Sequence, residues 1–337
     1  MAQYILRRLL LVPPTFLGIT LIVFTITRFV PGGPVERMIA EMQQANLQEG
    51  AADSGMDTQL SEEQIQQLNE YYGFDKPILV SYGQWLIKVI SGDLGRSSRY
   101  ADPVVDIIEE RLPISIFYGV SSMLITYLVC IPLGIIKAIK HETPLDNVSS
   151  AAVFVGYALP SYVVAIILMV YFGSELEWFP LGGFVSDDFE DLELGGKILD
   201  VLYHAVLPMT AYIMGSFAVT TFMMKNALMD NLAADFVRTA MAKGFTFRAA
   251  VFKHALQNSL IPMATHFGNN ISVIIAGSFL IEKIFNIDGF GLLGFESVLN
   301  RDYPVVLGIL VISSVLQLIG NILSDICVAL VDPRVQF

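Results

Sequence analysis

The chain has 337 residues, 54% of them hydrophobic and only 15% charged, with a mean hydropathy of +0.60. A water-soluble domain carries about a quarter charged residues, so these proportions exclude one and define a polytopic membrane protein with lipid as its solvent. Cys130 and Cys327 both lie inside apolar runs, which argues against a disulfide framework or a metal site, and the net charge of −12 gives no reason to expect a nucleic-acid partner.

A helix needs about 20 apolar residues to cross a bilayer, and six stretches qualify. The first, 9–30, follows Arg7 and Arg8. It is too long for a signal-peptide core and no small-x-small cleavage site follows it, so it is read as a retained transmembrane helix. An outer segment, 31–113, comes next. Within it "SEEQIQQLNEYYG" carries a capping box at Ser61 and Gln64 and a stop at Gly73, and residues 40–60 have too few apolar groups to order themselves. "KPILVSYGQWLIKVISG" then predicts a second helix, with Pro77 near its start and Gly92 past its end. The second and third spans are placed at 114–136 and 148–172. The segment 173–203, with "SDDFEDLE", reads as a solvated acidic loop before the fourth span at 204–224.

Some 35 residues separate the fourth span from the fifth, too many for a turn. "DNLAADFVRTAMAKG" predicts a helix capped by Asp230 or Asn231 and stopped at a left-handed Gly244. Thr246 can cap a second helix, "FRAAVFKHALQNSLIP", which re-enters the membrane by Pro262. The product is a helix–Gly–helix elbow bearing Phe236, Ala240, Phe245 and Phe247, rimmed by Arg238, Lys243 and Arg248. These residues alone leave two readings open, a knob for another protein's groove or an amphipathic loop on anionic headgroups.

The fifth and sixth spans are expected at 260–281 and 304–330, and each of the six contains or begins with a proline. His266, Asn269 and Asn270 share a face of the fifth. In the sixth, Ser313, Gln317, Asn321 and Asp325 recur every four residues. Polar groups inside a bilayer are costly and mark sites, so His266, Asn269, Asn270, Gln317 and Asn321 are candidates for lining a translocation path, against the alternative that they bond helix to helix. With the N-terminus inside, the inner segments hold ten Lys/Arg and five Asp/Glu while the outer ones, counted with Arg28 at the outer end of the first span, hold ten and 26. Positive charge gathers inside, which places both termini in the cytoplasm.

No H-E-x-x-H or G-x-S-x-G occurs, and the nearest approach to a P-loop, Gly196-Lys197, has Asp191 at the first glycine position and is followed by Ile198. The chain is therefore not expected to be an enzyme. If ATP drives it, another subunit hydrolyses the nucleotide.

The elbow resembles the EAA loop of ATP-binding-cassette importer permeases of the dipeptide/oligopeptide/nickel family. That branch reads D-Y-V-R-T-A-x-A-K-G and then R-H-A-L-R-N-A-L-x-P. Matching positions here are Asp235, Val237, Arg238, Thr239, Ala240, Ala242, Lys243 and Gly244, then His254, Ala255, Leu256, Asn258, Leu260 and Pro262. Phe236, Lys253, Gln257 and Ser259 depart mildly. The ordered set "YILRRLLLVPPT", "PGGPV", "YGFDKP", "GDLGRS", "FNIDGFGLLG", "RDYPV" and "LVDPR" extends the similarity to the B-type subunit over the whole chain. The long outer segment and the ending are most similar to the oligopeptide/microcin C (Yej-type) subgroup.

The resemblance implies an all-α fold with six transmembrane helices, like that of type I ABC importer permeases, in the bacterial inner membrane. Residues 1–30 would form the cytoplasmic N-terminus and first helix, 31–113 a periplasmic segment with a helical insert, and 114–337 the core with its coupling loop at 225–259. Implied partners are a second homologous permease, two cytoplasmic ATP-binding subunits or domains that hold ATP and Mg, and a periplasmic peptide-binding protein. The implied coupling residues are Asp235, Arg238, Thr239, Ala240, Lys243, Gly244, Phe245 and His254. A dipeptide, glutathione or nickel permease and a stand-alone secondary transporter are the alternatives.

Overall fold

The computed structural model describes residues 2–29, 75–275 and 277–331, where the chain is helices and turns without a strand. The capping box at Ser61, the stop at Gly73, the polar stretch 40–60 and Arg334 lie outside the described residues. α1 (Ala2–Phe29) holds Pro13 and Pro14, and α2 (Ile78–Ile90) begins after Pro77 and ends before Gly92, whose φ is +85°. α3 (Val104–Ile139) runs through Pro113 and Pro132. Threonine hydroxyls in α1 bond back to carbonyls four residues earlier, as Thr15 does to Leu11 and Thr25 to Leu21 at 2.7 Å each, which removes their cost in an apolar surrounding.

The expected third span is a broken helix. α4 (Pro144–Ala158) starts on a Thr143 cap, and α5 (Ser161–Leu168) continues as a wide turn to Glu175 at 92° to it. Pro160 causes the break, since the residue before a proline is driven out of the helical region and Leu159 stands at ψ 123°. α6 (Leu194–Ala233) is longer than expected at both ends. Its first turns consume part of the predicted acidic loop, whose Ser186 N–H donates to the Asp200 carboxylate at 2.9 Å. After the elbow come α7 (Asp235–Ala242), α8 (Phe247–Ala250) and α9 (Leu256–Ile275). α10 (Phe279–Ile284), α11 (Phe290–Leu299) and α12 (Tyr303–Val331) complete the chain, α11 being unforeseen.

Among the described residues four helices are long and apolar enough to cross a membrane, five if the bent pair counts as one span. α9, which carries His266, Asn269 and Asn270, is not in that set.

The described chain divides into two compact units. One draws on Leu10–Glu110 and Gly294–Ser314. Here Tyr82 of α2 bonds Thr20 of α1 at 2.9 Å and donates to the Leu17 carbonyl, while Phe24 packs on Tyr82 and Trp85. In the same unit two motifs far apart in sequence form one joint. The Asp302 carboxylate of "RDYPV" accepts from the Ser97 hydroxyl of "GDLGRS" and from the Ser98 and Arg99 amides, and Ser97 N–H reaches the Asp302 carbonyl at 2.9 Å.

The other unit draws on Met1–Leu9, Arg111–Leu293 and Val315–Phe337 and has two apolar cores. One gathers Tyr118, Leu207, Met209, Ile281 and Phe285; the other gathers Ala138, Met224, Leu228, Val237, Val251 and Met263 at the elbow.

Candidate functional site

The elbow is built by local rules. α6 runs past Asp230 and Asn231, neither of which caps a helix; Asn231 instead donates to the Ala227 carbonyl at 2.8 Å within α6. The expected N-cap is corrected to Ala234, extended at ψ 148° and without a side-chain cap. The helical preference of "NLAA" carries α6 through the polar pair. At the other end of α7 the expectation holds. Gly244 has φ +91°, its N–H meets the Met241 carbonyl at 3.0 Å, and Phe245 N–H meets the Ala240 carbonyl at 3.3 Å. This pair of bonds is a Schellman closure. Thr246 then caps α8 by accepting from Ala249 N–H at 3.3 Å. A wide turn over Val251–Ala255 leads into α9.

The two sides of the elbow differ in kind. Val237, Ala240, Ala250, Val251 and Ala255 are buried, in part against Met224 and Leu228 of α6. Ala240, expected on the presented face, is only 6% exposed, so any influence it has on coupling passes through packing. Phe236, Met241, Phe245, Phe247 and Phe252 remain exposed, with Asp235, Arg238, Thr239, Lys243, Arg248 and Lys253 among them. Phe245 is held edge-on by His254 at 5.3 Å and covered by the Lys253 ammonium at 5.3 Å. Arg238 and Asp235 lie 3.7 Å apart and exposed, a spacing that contributes little.

The polar helix faces form two pairs. His266 Nδ1 lies 2.7 Å from the Tyr127 hydroxyl of α3 and 2.9 Å from Asn270 Nδ2. Gln317 donates to Asn321 at 3.2 Å on an exposed face of α12. No hydrogen bond among the described residues joins the pairs, although Ser324 ties α12 to α9 through the Thr265 carbonyl at 3.1 Å. The side chain of Asn269 lies outside the described residues.

Two buried charged centres escape sequence reasoning. Glu282 of α10 is fully buried. Its Oε1 accepts from the Ser115 hydroxyl at 3.0 Å and the Tyr212 hydroxyl at 3.3 Å, and its Oε2 from Leu292 N–H at 2.6 Å. Ser115 and Tyr212 accept in turn from the Phe290 and Ser278 amides, so two relays of amide to hydroxyl to carboxylate fasten 278–292 to α3 and α6. Burial pushes the Glu282 carboxyl up from the ordinary range against the lowering effect of these donors. The second centre joins Lys137, Asp146 and Lys225, each just outside the bounds of an expected span. The acid inside "FLIEKIF", and a lysine inside "LGIIKAI", are the signals that could have revealed them.

These elements define a polytopic, helical membrane protein with a folded elbow between two of its long helices. Residues 130–337 match the model of the "binding-protein-dependent transport system inner membrane component" family, and the chain belongs to that family. It is 40% identical to the inner membrane ABC transporter permease protein YejB of Escherichia coli O157:H7, over all of this chain and 99% of the relative. It is 38% identical to the peptidoglycan transport system permease protein YejB of Agrobacterium fabrum, over all of this chain and 99% of the relative. With the oligopeptide transport system permease protein AppB of Bacillus subtilis it shares 35% identity over the full length of both.

Proposed function

We propose that this chain is the membrane-spanning permease subunit of an ATP-binding-cassette importer that carries oligopeptides from periplasm to cytoplasm. The observation that carries the reading is the elbow, with its buried apolar base, its glycine-set turn and its exposed phenylalanines among basic side chains. Such a surface suits a groove in a cytoplasmic ATP-binding subunit, which holds the nucleotide and Mg and performs the hydrolysis. The names of the oligopeptide permease AppB and the dipeptide permease DppB of Bacillus subtilis support a peptide cargo.

In this reading six spans, α9 included, put both termini in the cytoplasm of a bacterial inner membrane. A second homologous permease completes the pore, and a periplasmic binding protein delivers the peptide. Closure of the ATP-binding subunits moves the elbows and opens the pair outward; hydrolysis returns it. His266, Asn269 and Asn270 with Gln317 and Asn321 line the passage. Asp235, Arg238, Thr239, Lys243, Gly244, Phe245 and His254 shape the contact that transmits the motion.

The test is Gly244→Asp, which loads a φ of +91° with a side chain and sets a carboxylate among basic residues. The variant reaches the membrane in normal amount and loses peptide uptake. Normal uptake by that variant would refute the coupling role.

A further inference from the structure

Lys137, Asp146 and Lys225 form a buried ionic knot that the proposed cycle does not yet use. Lys137 of α3 is 0% exposed and Asp146 of α4 is 2% exposed. The Asp146 carboxylate receives Lys225 of α6 through both oxygens, at 2.9 and 2.8 Å, and Lys137 at 3.1 Å. Lys137 also donates to the Asp146 carbonyl at 3.0 Å and to the Ser149 and Ser150 hydroxyls at 2.8 and 2.7 Å. His141 Nδ1 stands 3.2 Å from the carboxylate, and Glu142 N–H donates to it at 3.3 Å. Buried charge survives only when paired and fully hydrogen-bonded, and here one carboxylate serves two ammonium groups from two different helices.

The knot abuts the elbow in sequence and in packing. Ala138 and Met224, each adjacent to a lysine of the knot, belong to the same apolar core as Val237 and Val251 of the elbow. From Lys225 α6 runs without interruption to Ala233, where the elbow begins. Nearby, a Cβ on Gly134 of α3 would stand 2.7 Å from Met224 Cβ and 2.9 Å from the Thr221 carbonyl, so α3 and α6 pack closely at this level. α4, the first half of the helix broken at Pro160, joins that pair through Asp146.

We propose that Asp146 is a positioning residue for energy coupling. It locks the elbow-side ends of α3, α4 and α6 into one body, so that displacement of the elbow moves α4 within the membrane. This rests on the importer reading above. The experiment uses the assembled transporter in liposomes and measures ATP hydrolysis together with import from a tryptic casein digest, read by mass spectrometry of the lumen. Asp146→Asn keeps hydrolysing ATP, while peptide imported per ATP falls about tenfold or more, the scale of a coupling between sites. Asp146→Asn with Lys225→Met restores the knot's original net charge, accumulates like the parent and stays uncoupled, because the tie from α4 to α6 is gone. A parental import-to-hydrolysis ratio in either variant would overturn the proposal, as would failure of both to accumulate, which marks a purely structural role. A parental chain that recruits no ATP-hydrolysing subunit, or imports no peptide, instead overturns the reading on which the proposal stands.

Discussion

At Glu282 a single carboxylate gathers Ser115, Tyr212 and the Leu292 amide, all of which donate. Glutamine has only one acceptor oxygen and would turn an N–H₂ group toward one of these donors. Glu282→Gln therefore costs about 1–3 kcal/mol, the penalty of a buried unmatched donor, and lowers the melting temperature of the purified protein in detergent. An unchanged melting temperature would show that the relays contribute nothing. Gly289 makes the same well from the other side, since a Cβ there would lie 2.6 Å from the Glu282 carboxyl carbon. Gly289→Ala should reproduce the loss, and Glu282→Asp should relieve it in part when combined with Gly289→Ala. The sequence could show that Glu282 is a lone acid in an apolar run, yet not that two hydroxyls some 170 and 70 positions away converge on it. For Lys137 and Lys225 it shows a charge just past the end of an apolar stretch, and only the folded chain supplies the partner carboxylate of Asp146.

The elbow is the element most legible in the amino-acid order, for its turn is set by local chemistry. Gly244 at the C′ position and Thr246 at the following cap need no distant contact to act. Open space surrounds the place where a Gly244 side chain would begin, so the cost of an uncharged substitution is conformational rather than steric. Gly244→Asn, which tolerates left-handed backbone, should keep more peptide uptake than Gly244→Val, whose β-branched side chain does not. Equal uptake would remove the turn from the coupling argument. Thr246→Ala loses one cap bond, worth about 1 kcal/mol, and should speed amide hydrogen exchange across 247–250 while leaving α6 protected. Less legible were the boundaries. The N-cap of α7 moved from Asp230 or Asn231 to Ala234 because helix preference carried α6 onward, and the bend after Ala158 was hidden because proline fixes the residue before it without stating the angle that follows.

Across the whole molecule, composition and hydropathy told the class, and the order of short motifs told the family, but neither explained what those motifs do together. "GDLGRS" and "RDYPV" turn out to be halves of one joint at Asp302, which only the folded chain brings together. The polar faces were likewise visible as spacings. The structure adds that His266 pairs with Tyr127 and with Asn270, whereas Gln317 donates to Asn321 on an exposed face. If that face lines a passage, cysteines placed singly at 317 and 321 react with a membrane-impermeant thiol reagent in the assembled transporter, and ATP changes the rate; inert cysteines would assign the pair to helix–helix contact. The account depends most on what the elbow touches. A photoreactive amino acid in place of Phe247, 47% exposed at the start of α8, would report that in intact membranes. The importer reading predicts a covalent adduct with an ATP-hydrolysing subunit whose yield changes with bound nucleotide, and adducts to lipid alone would contradict it.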